Sequence, residues 1–368
     1  MNPLIESIKE ENDSLKFTLS GVNVSLANAL RRTIISDIKS IVFKTTPHQE
    51  NKCNIIVNTT RLNNEILKQR LSCIPIHITD IKFPIKDYVL EVDVKNNTDT
   101  IIYVTTQDFR LKNVHTNEYL GEKENREIFP RDDLSNDFID FVRLRPKISE
   151  EIHGEHLHFV AGLSVGTPKE DSMFNVASTC SYGYTLDIVA IEDELNKMEQ
   201  KWKDAGKNKD EITFMKKDWK LLEGQRITKK NSFDFIIESV GVYTNNELVK
   251  LGCKIMKKRL DKLKNLIETN DIQITASNST MKNSYDVLLV DDDYTVGKAI
   301  EFAMYSKFFE SVNTLSYCGY SKEHPHDPDS ILRVAYKDDI ADSSIVKQNM
   351  LECIEELKIV FDSINKKF

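Results

Sequence analysis

The chain has 368 residues, 40% of them hydrophobic and 29% charged, with a formal net charge of −8; this is the composition of a folded globular protein of two or three domains, not of a disordered or fibrous chain. The acidic balance argues against a protein that grips nucleic acid by its overall charge, because phosphate binding rests on clustered Lys and Arg. Six scattered cysteines, Cys53, Cys73, Cys180, Cys253, Cys318 and Cys353, form no C-x-x-C pair, so neither a disulfide framework nor a zinc site of usual spacing is indicated and a reducing compartment is expected. The opening MNPLIESIKEEND lacks the apolar core of a signal peptide and no run approaches 18 apolar residues; neither secretion by that route nor a membrane span is expected.

In chain order, SLKFTLSG reads as a short strand and NVSLANALRRTIISDI, residues 23–38, as an amphipathic helix with Ser25 as its N-cap. At about 100° per residue, Leu26, Ala27, Leu30, Ile34 and Ile38 share an arc of roughly 120°. Arg31 falls at the edge of that stripe, while Arg32 falls nearly opposite and does not serve the helix's own core. Residues 79–180 hold strand-like runs, DYVLEVDVKN, TIIYVTTQDF and EHLHFVAGLSVG, broken by Gly, Asn, Asp and Pro. Residues 191–224 read as a helical hairpin, with Leu195, Met198 and Trp202, then Ile212, Met215, Trp219 and Leu222, at helical spacing around the breaker DAGKNKD. NSFDFIIESVG is a strand leading into a long helix whose Met256, Leu260, Leu263 and Ile267 step 4, 3, 4. The Ser-, Thr- and Asn-rich segment 269–284 reads as a linker. Beyond it come a strand, YDVLLVDD, a second short helix, DYTVGKAIEFAMYSKF, and a closing helix with Val346, Met350, Cys353, Leu357, Val360 and Ile364 on a coiled-coil-like stripe.

The two short helices repeat one another. An offset of 270 residues carries Ser25 to Thr295 and the five stripe positions to Val296, Gly297, Ile300, Met304 and Phe308, all apolar or small. Each short helix follows a strand, and each unit closes with a long amphipathic helix. The expected fold is therefore α+β, with two similar units forming an intramolecular pseudodimer, a β-rich inserted domain and a helical-hairpin insertion. The boundaries are 1–78 for the first part of the large half, 79–180 for the inserted domain, 181–268 for the second part with the hairpin at 191–224, 269–284 for the linker and 285–368 for the small half. The expected seam runs along the two stripes, with Ala27 and Gly297 near the crossing. Arg31 would face Glu301, its counterpart across the offset, and Arg32 corresponds to Phe302, on the side turned away.

Motifs with possible chemistry have plainer readings. HGEHLHF places His156 and His158 on one strand face, and EHPHDP groups His324, His326 and Asp327 in a proline-marked turn; neither is assigned a metal. VDDDY at 290–294 is the feature that a metal-dependent enzyme would need, but three aspartates before a helix N-terminus suit the helix dipole, whereas two-metal catalysis needs converging carboxylates. No Gly-rich phosphate loop, nucleophile elbow or H-E-x-x-H is present. No catalytic residue, cofactor or metal is expected, and the chain is read as non-catalytic.

SLANALRRTIISDI resembles the first helix of the α-like assembly subunits of multisubunit DNA-dependent RNA polymerases. NNEILKQRLSCIPI resembles that family's next signature, an acidic residue followed by Arg and an apolar-Pro turn, with Ser72 where Gly is usual. HGEHLHFVAGLSVGTPKEDSMFNVASTCSY and FDFIIESVG resemble the end of the inserted domain and the return strand of the large α-like subunit, and the last 85 or so residues, with VDDDYTVGKAIEFAM and GYSKEHPHDPDSILRV, resemble the small one. The inserted domain of some relatives holds a cysteine-ligated cluster; here 79–180 contains only Cys180, so that site is absent. The resemblance implies a fused large-plus-small subunit, as in nucleocytoplasmic large DNA viruses, located in the host cytoplasm (viral factory) and virion, with the nucleus as the alternative. It implies an assembly platform for the largest and second-largest polymerase subunits with small zinc-binding subunits nearby, DNA being reached only through the complex, with no membrane and no need of a homo-oligomer. Arg32, Glu65, Arg70 and Pro75 are the residues it assigns to large-subunit contact. The alternatives are a stand-alone dimerisation scaffold and a metal-dependent enzyme.

Overall fold

Asn12 and Asp13 both have positive φ, 51° and 59°, as in a type I′ turn, which these two residue types tolerate. They fold β1 (Leu4–Glu11) back on β2 (Ser14–Ser20), with Glu11 opposite Ser14. The computed structural model describes residues 2–149, 151, 153–338 and 343–368. After β2 come α1 (Val24–Ser36), β3 (Ser40–Val42), β4 (Cys53–Asn58), α2 (Asn64–Ser72), β5 (Tyr88–Lys95), β6 (Ile102–Thr105), β7 (Arg110–Asn113), α3 (Glu122–Ile128), β8 (Asp140–Leu144), β9 (His156–Gly162) and β10 (Ser164–Gly166). Then follow β11 (Ala177–Leu186), α4 (Ile188–Asp204), α5 (Lys209–Leu221), β12 (Thr228–Ser239) and α6 (Asn245–Glu268). The last group is β13 (Ile274–Ala276), β14 (Ser284–Leu289), α7 (Tyr294–Met304), β15 (Leu315–Ser321), β16 (Ser330–Tyr336) and α8 (Ser344–Asn365).

These elements form two units. The first comprises Met1–Ile34, Thr179–Glu238 and Asn245–Phe368, and it contains two four-stranded sheets of matching order, β1-β2-β12-β11 and β13-β14-β16-β15. In each, the strand that precedes the short helix lies between an edge strand and the strand that precedes the long helix. The inward faces follow the two-residue alternation of half-buried strands: Leu15, Phe17 and Leu19 on β2, Phe233, Phe235 and Ile237 on β12, Val287 and Leu289 on β14, Leu332 and Val334 on β16. Phe17 stacks on Phe235 at 5.0 Å and meets Phe368 edge-on at 4.9 Å. The hairpin sits between β11 and β12, with Asn208 and Glu211 forming a capping box at the start of α5. Segment 269–284, expected to be a linker, carries β13, because Ile274 to Ala276 find ladder partners in Val287 to Tyr285.

The second unit comprises Ile35–Ser178 and Ser239–Thr244. Its sheet β4-β9-β5-β7 is built around Phe109, which meets Phe129, Phe141 and Phe159 edge-on at 5.5, 5.4 and 6.1 Å. The boundary expected at residue 79 falls inside this unit. Ile41, Phe43, Cys53, Leu67 and Leu71 bury their side chains in the same core as Leu90, Val92 and Leu157, so β3, β4 and α2 belong to it. Among the described residues no helix is long and apolar enough to cross a membrane.

Candidate subunit interface

The main helix contact of the first unit joins α6 to α8. Met256, Leu260, Leu263 and Ile267 on one, and Val346, Met350, Cys353, Leu357, Val360 and Ile364 on the other, are all buried. Flanking this stripe, Lys257 reaches Asp362 at 2.5 Å, Asp261 receives Lys358 at 2.7 Å, and Lys264 reaches Glu355 at 2.8 Å. Numbers rise along α6 as they fall along α8, so the helices run antiparallel in a single register. The charges read plus, minus, plus on α6 against minus, plus, minus on α8, as on the flanks of a coiled coil.

The short helices occupy a different position from the one their stripes implied. α1 packs on α6: a methyl group added to Gly252 would lie 2.8 Å from Ile34 Cγ1 and 3.2 Å from Leu30 Cδ1. Gly252 is therefore the glycine that permits close helix approach. Gly297 faces its own half's sheet instead, where an added methyl would lie 2.0 Å from Cε2 of Tyr320 on β15. Leu26, Ala27, Leu30, Ile34, Val296, Ile300, Met304 and Phe308 are buried, but Phe308 lies in the π-helical segment Tyr305–Ser311, and Ile38 lies past the end of α1, within the second unit. The N-cap also shifts. Asn23 Oδ1 accepts the Ser25 N–H at 2.9 Å, and at the same offset of 270 residues Asp293 Oδ1 accepts the Thr295 N–H at 2.9 Å.

Arg31 and Arg32 both find partners within the chain, though not the expected ones. Arg31 donates from Nε to Asn28 of its own helix at 2.9 Å, while Glu301 ion-pairs with Lys298 at 2.6 Å and accepts the Tyr320 N–H at 3.2 Å. Each is engaged within its own half, and no Arg31–Glu301 pair forms among the described residues. Arg32 makes the link: Nε donates to Thr295 Oγ1 at 2.9 Å and Nη2 to Asp293 Oδ2 at 3.0 Å. The fork expected to point away from the seam thus holds the first turn of α7. Arg259 of α6 holds the same corner, with Nη2 at 2.8 Å from Asp292 and 3.3 Å from Asp293.

The two neighbouring carboxyls respond in opposite directions. Burial raises Asp292 above its ordinary value, against the pull of Arg259. Burial also disfavours the charge on Asp293, but the backbone and hydroxyl bonds from Thr295 and the guanidiniums of Arg259 and Arg32 outweigh it and hold that carboxyl far below the usual range. Asp293 is at once helix cap and ion-pair acceptor. Asp291, Asp292 and Asp293 do not converge on a cation site; among the described residues no group of three His, Cys, Asp or Glu side chains is placed to hold a metal.

Residues 16–260 match the RNA polymerase Rpb3/Rpb11 dimerisation domain. The chain belongs to that family. The DNA-directed RNA polymerase subunit Rpo3 of Pyrococcus horikoshii is 25% identical over 283 residues, covering 72% of this chain and 97% of the relative. Rpo3 of Pyrococcus furiosus is 25% identical over 277 residues, 70% and 94% of the two chains. Subunit 3B of DNA-directed RNA polymerases IV and V of Arabidopsis thaliana is 23% identical over 309 residues, 73% and 93%.

In this member of the Rpb3/Rpb11 family, the second signature lies in the second unit. Glu65 is exposed in the first turn of α2. Arg70 donates to the main-chain oxygens of Phe141 at 2.8 Å and Asp140 at 2.7 Å, fastening α2 to β8. Pro75 follows half-buried in the turn. Ser72 is buried and satisfied by Thr45 at 2.7 Å and the Phe43 carbonyl at 2.9 Å, which explains how a hydroxyl is accommodated there. His156 and His158 each face a carboxylate across the β5–β9 ladder, Asp93 at 2.6 Å and Glu91 at 3.6 Å. Sequence reasoning missed Arg259, Gly252 and the α6–α8 ion pairs. A lone glycine inside a helical stripe and alternating charges beside a 4, 3, 4 repeat were the available signals.

Proposed function

We propose that this chain is the non-catalytic assembly subunit of a multisubunit DNA-directed RNA polymerase, with both partners of the dimerisation fold written in one chain. One observation carries the reading. The family match covers residues 16–260, and beyond it β13, β14, β16 and β15 repeat the strand order of β1, β2, β12 and β11. The antiparallel α6–α8 contact then joins the halves of an intramolecular pseudodimer, with Arg32 and Arg259 tying the large half to the first turn of α7. Tethering turns pairing into an intramolecular event at an effective concentration of order mM.

On this reading the paired face receives the second-largest and largest polymerase subunits, small zinc-binding subunits dock nearby, and Arg32, Glu65, Arg70 and Pro75 serve the contact with a large subunit. A large DNA virus as source, with the viral factory and virion as location, belongs to the same proposal and is supported by the resemblance of the fused arrangement. The test is affinity purification of the tagged chain from its source cells. Two very large chains in stoichiometric amount are expected. Recovery without them would favour a stand-alone scaffold, and bound metal with nucleotide turnover by the isolated chain would favour an enzyme.

A further inference from the structure

β6 and β8 pair so that Tyr103 faces Arg143 and Val104 faces Val142. The strand alternation sends Val104, Val142 and Leu144 into the core and leaves Tyr103 and Arg143 on the exposed face. With Ile101 and Arg145, this face lines a groove of about 670 Å³ that Arg61 and Arg70 complete. Four guanidiniums around an exposed tyrosine and isoleucine form a pronounced local departure in a chain of net charge −8. Among the described residues the one carboxylate side chain on the lining is that of Asp140. Two of the arginines are held in place, Arg70 by the Phe141 and Asp140 carbonyls and Arg145 by Glu155 at 2.6 Å. Arg61 and Arg143 are exposed and have no ion-pair partner among the described residues.

We propose that this groove docks an acidic peptide segment of another protein, one aromatic or aliphatic side chain resting on Tyr103 and Ile101 while flanking carboxylates take the forks of Arg61 and Arg143. The planar guanidinium matches a carboxylate through two parallel hydrogen bonds, and an apolar anchor ringed by charge is the usual anatomy of a small interface hot spot. A nucleic-acid track would need cations spaced along a backbone path, whereas these cluster around one apolar spot. The proposal adjoins the contact assigned above to Arg70 but does not rest on the polymerase reading, because Arg61 and Arg143 carry the test.

The test is fluorescence anisotropy of the full chain with a labelled peptide Glu-Glu-Asp-Phe-Leu-Asp-Glu-Glu, a lysine-for-acid version of it and a labelled oligouridylate. The acidic peptide should bind and the basic one should not. Affinity should fall as salt rises, and by about tenfold or more in Arg61→Gln/Arg143→Gln, since exchanging rim charges acts chiefly through electrostatic complementarity. The melting temperature of the variant checks its fold, and the two single variants, each expected to bind severalfold more weakly, serve if the double one unfolds. Undiminished binding by folded variants, no binding of the acidic peptide by the wild type, or tighter Arg-dependent binding of the oligouridylate would each overturn the proposal.

Discussion

Asp293 is gripped from two helices, and the two grips differ in value. The Arg32 side chain is 38% exposed, so Arg32→Ala should cost about 1 kcal/mol. Arg259 is 19% exposed and faces Asp292 at 13%; its removal leaves two adjacent, largely buried carboxyls short of their cation, and Arg259→Ala should cost about 3 kcal/mol. Urea midpoints of the two variants check the order, and equal losses would show that Asp292 is not the group at stake. The pH dependence follows from the depressed Asp293. A carboxyl held below its ordinary value contributes stability that is present above about pH 4 and lost as pH falls below it. Asp292, raised by burial, acts in the opposite sense, while Asp286, held down by Arg333, and Glu355, held down by Lys264, add to the acid limb of Asp293. Asp293→Asn, which keeps a good cap, should therefore lose less stability than wild type between pH 4 and pH 3 in the same assay. At this scale the sequence showed that Arg32 lies off the core stripe of its helix. It did not show the acceptor, which stands 261 positions away.

Among the elements, the helix crossings turn on two glycines with different neighbours. The added methyl of Gly252→Ala lies 2.8 Å from Cγ1 of Ile34, a fully buried β-branched side chain; overpacking outweighs the helix-propensity gain of about 1 kcal/mol, and a loss of up to about 1 kcal/mol is expected. Gly297→Ala drives a methyl into the ring of Tyr320, which is 8% exposed, and should cost about 1 to 3 kcal/mol. Thermal melts should show Gly297→Ala as the less stable of the two variants. The α6–α8 pairs call for a double-mutant cycle: Asp261→Lys sets a second cation against Lys358 and should cost about 0.5 to 1 kcal/mol, recovered in large part by adding Lys358→Asp. The two long helices and their buried stripes were legible residue by residue, because a 4, 3, 4 repeat has one geometric meaning. Their partnership was not, since either stripe satisfies its own helix equally well. The tryptophans of the hairpin illustrate the same limit. Trp202 and Trp219 are half-buried, Trp219 lying 3.4 Å from the position of an added methyl at Gly224, a contact that helical spacing alone does not assign.

For the molecule as a whole, the division into halves makes a direct prediction. Because β13 pairs with β14, a cut in 277–283 parts the two strands, whereas a cut before Ile274 leaves them on one fragment. Co-expressed fragments 1–276 and 277–368 should lose the β13–β14 ladder but still co-purify in equal amounts through α6 and α8. A split before Ile274 keeps that ladder within the small half and should give the more stable pair. Either fragment alone leaves an apolar helix face uncovered and should aggregate or self-associate on size exclusion. Monomeric, soluble fragments that do not bind each other would refute the pairing.

The repeat of strand, short helix and long helix, the apolar stripes of α6 and α8, the strand character of 79–180 and the family resemblance were all determined by the sequence itself, because periodicity and motif order are local properties. The unit boundary at Ile35, the strand inside the supposed linker, the choice of α6–α8 over α1–α7 as the main contact and the turn of Arg32 onto Asp293 were decided by the tertiary structure. Each depends on which of several chemically equivalent faces meet once the chain is folded. Burial and ion pairing between residues far apart in number select one arrangement, and no local window of sequence contains both partners.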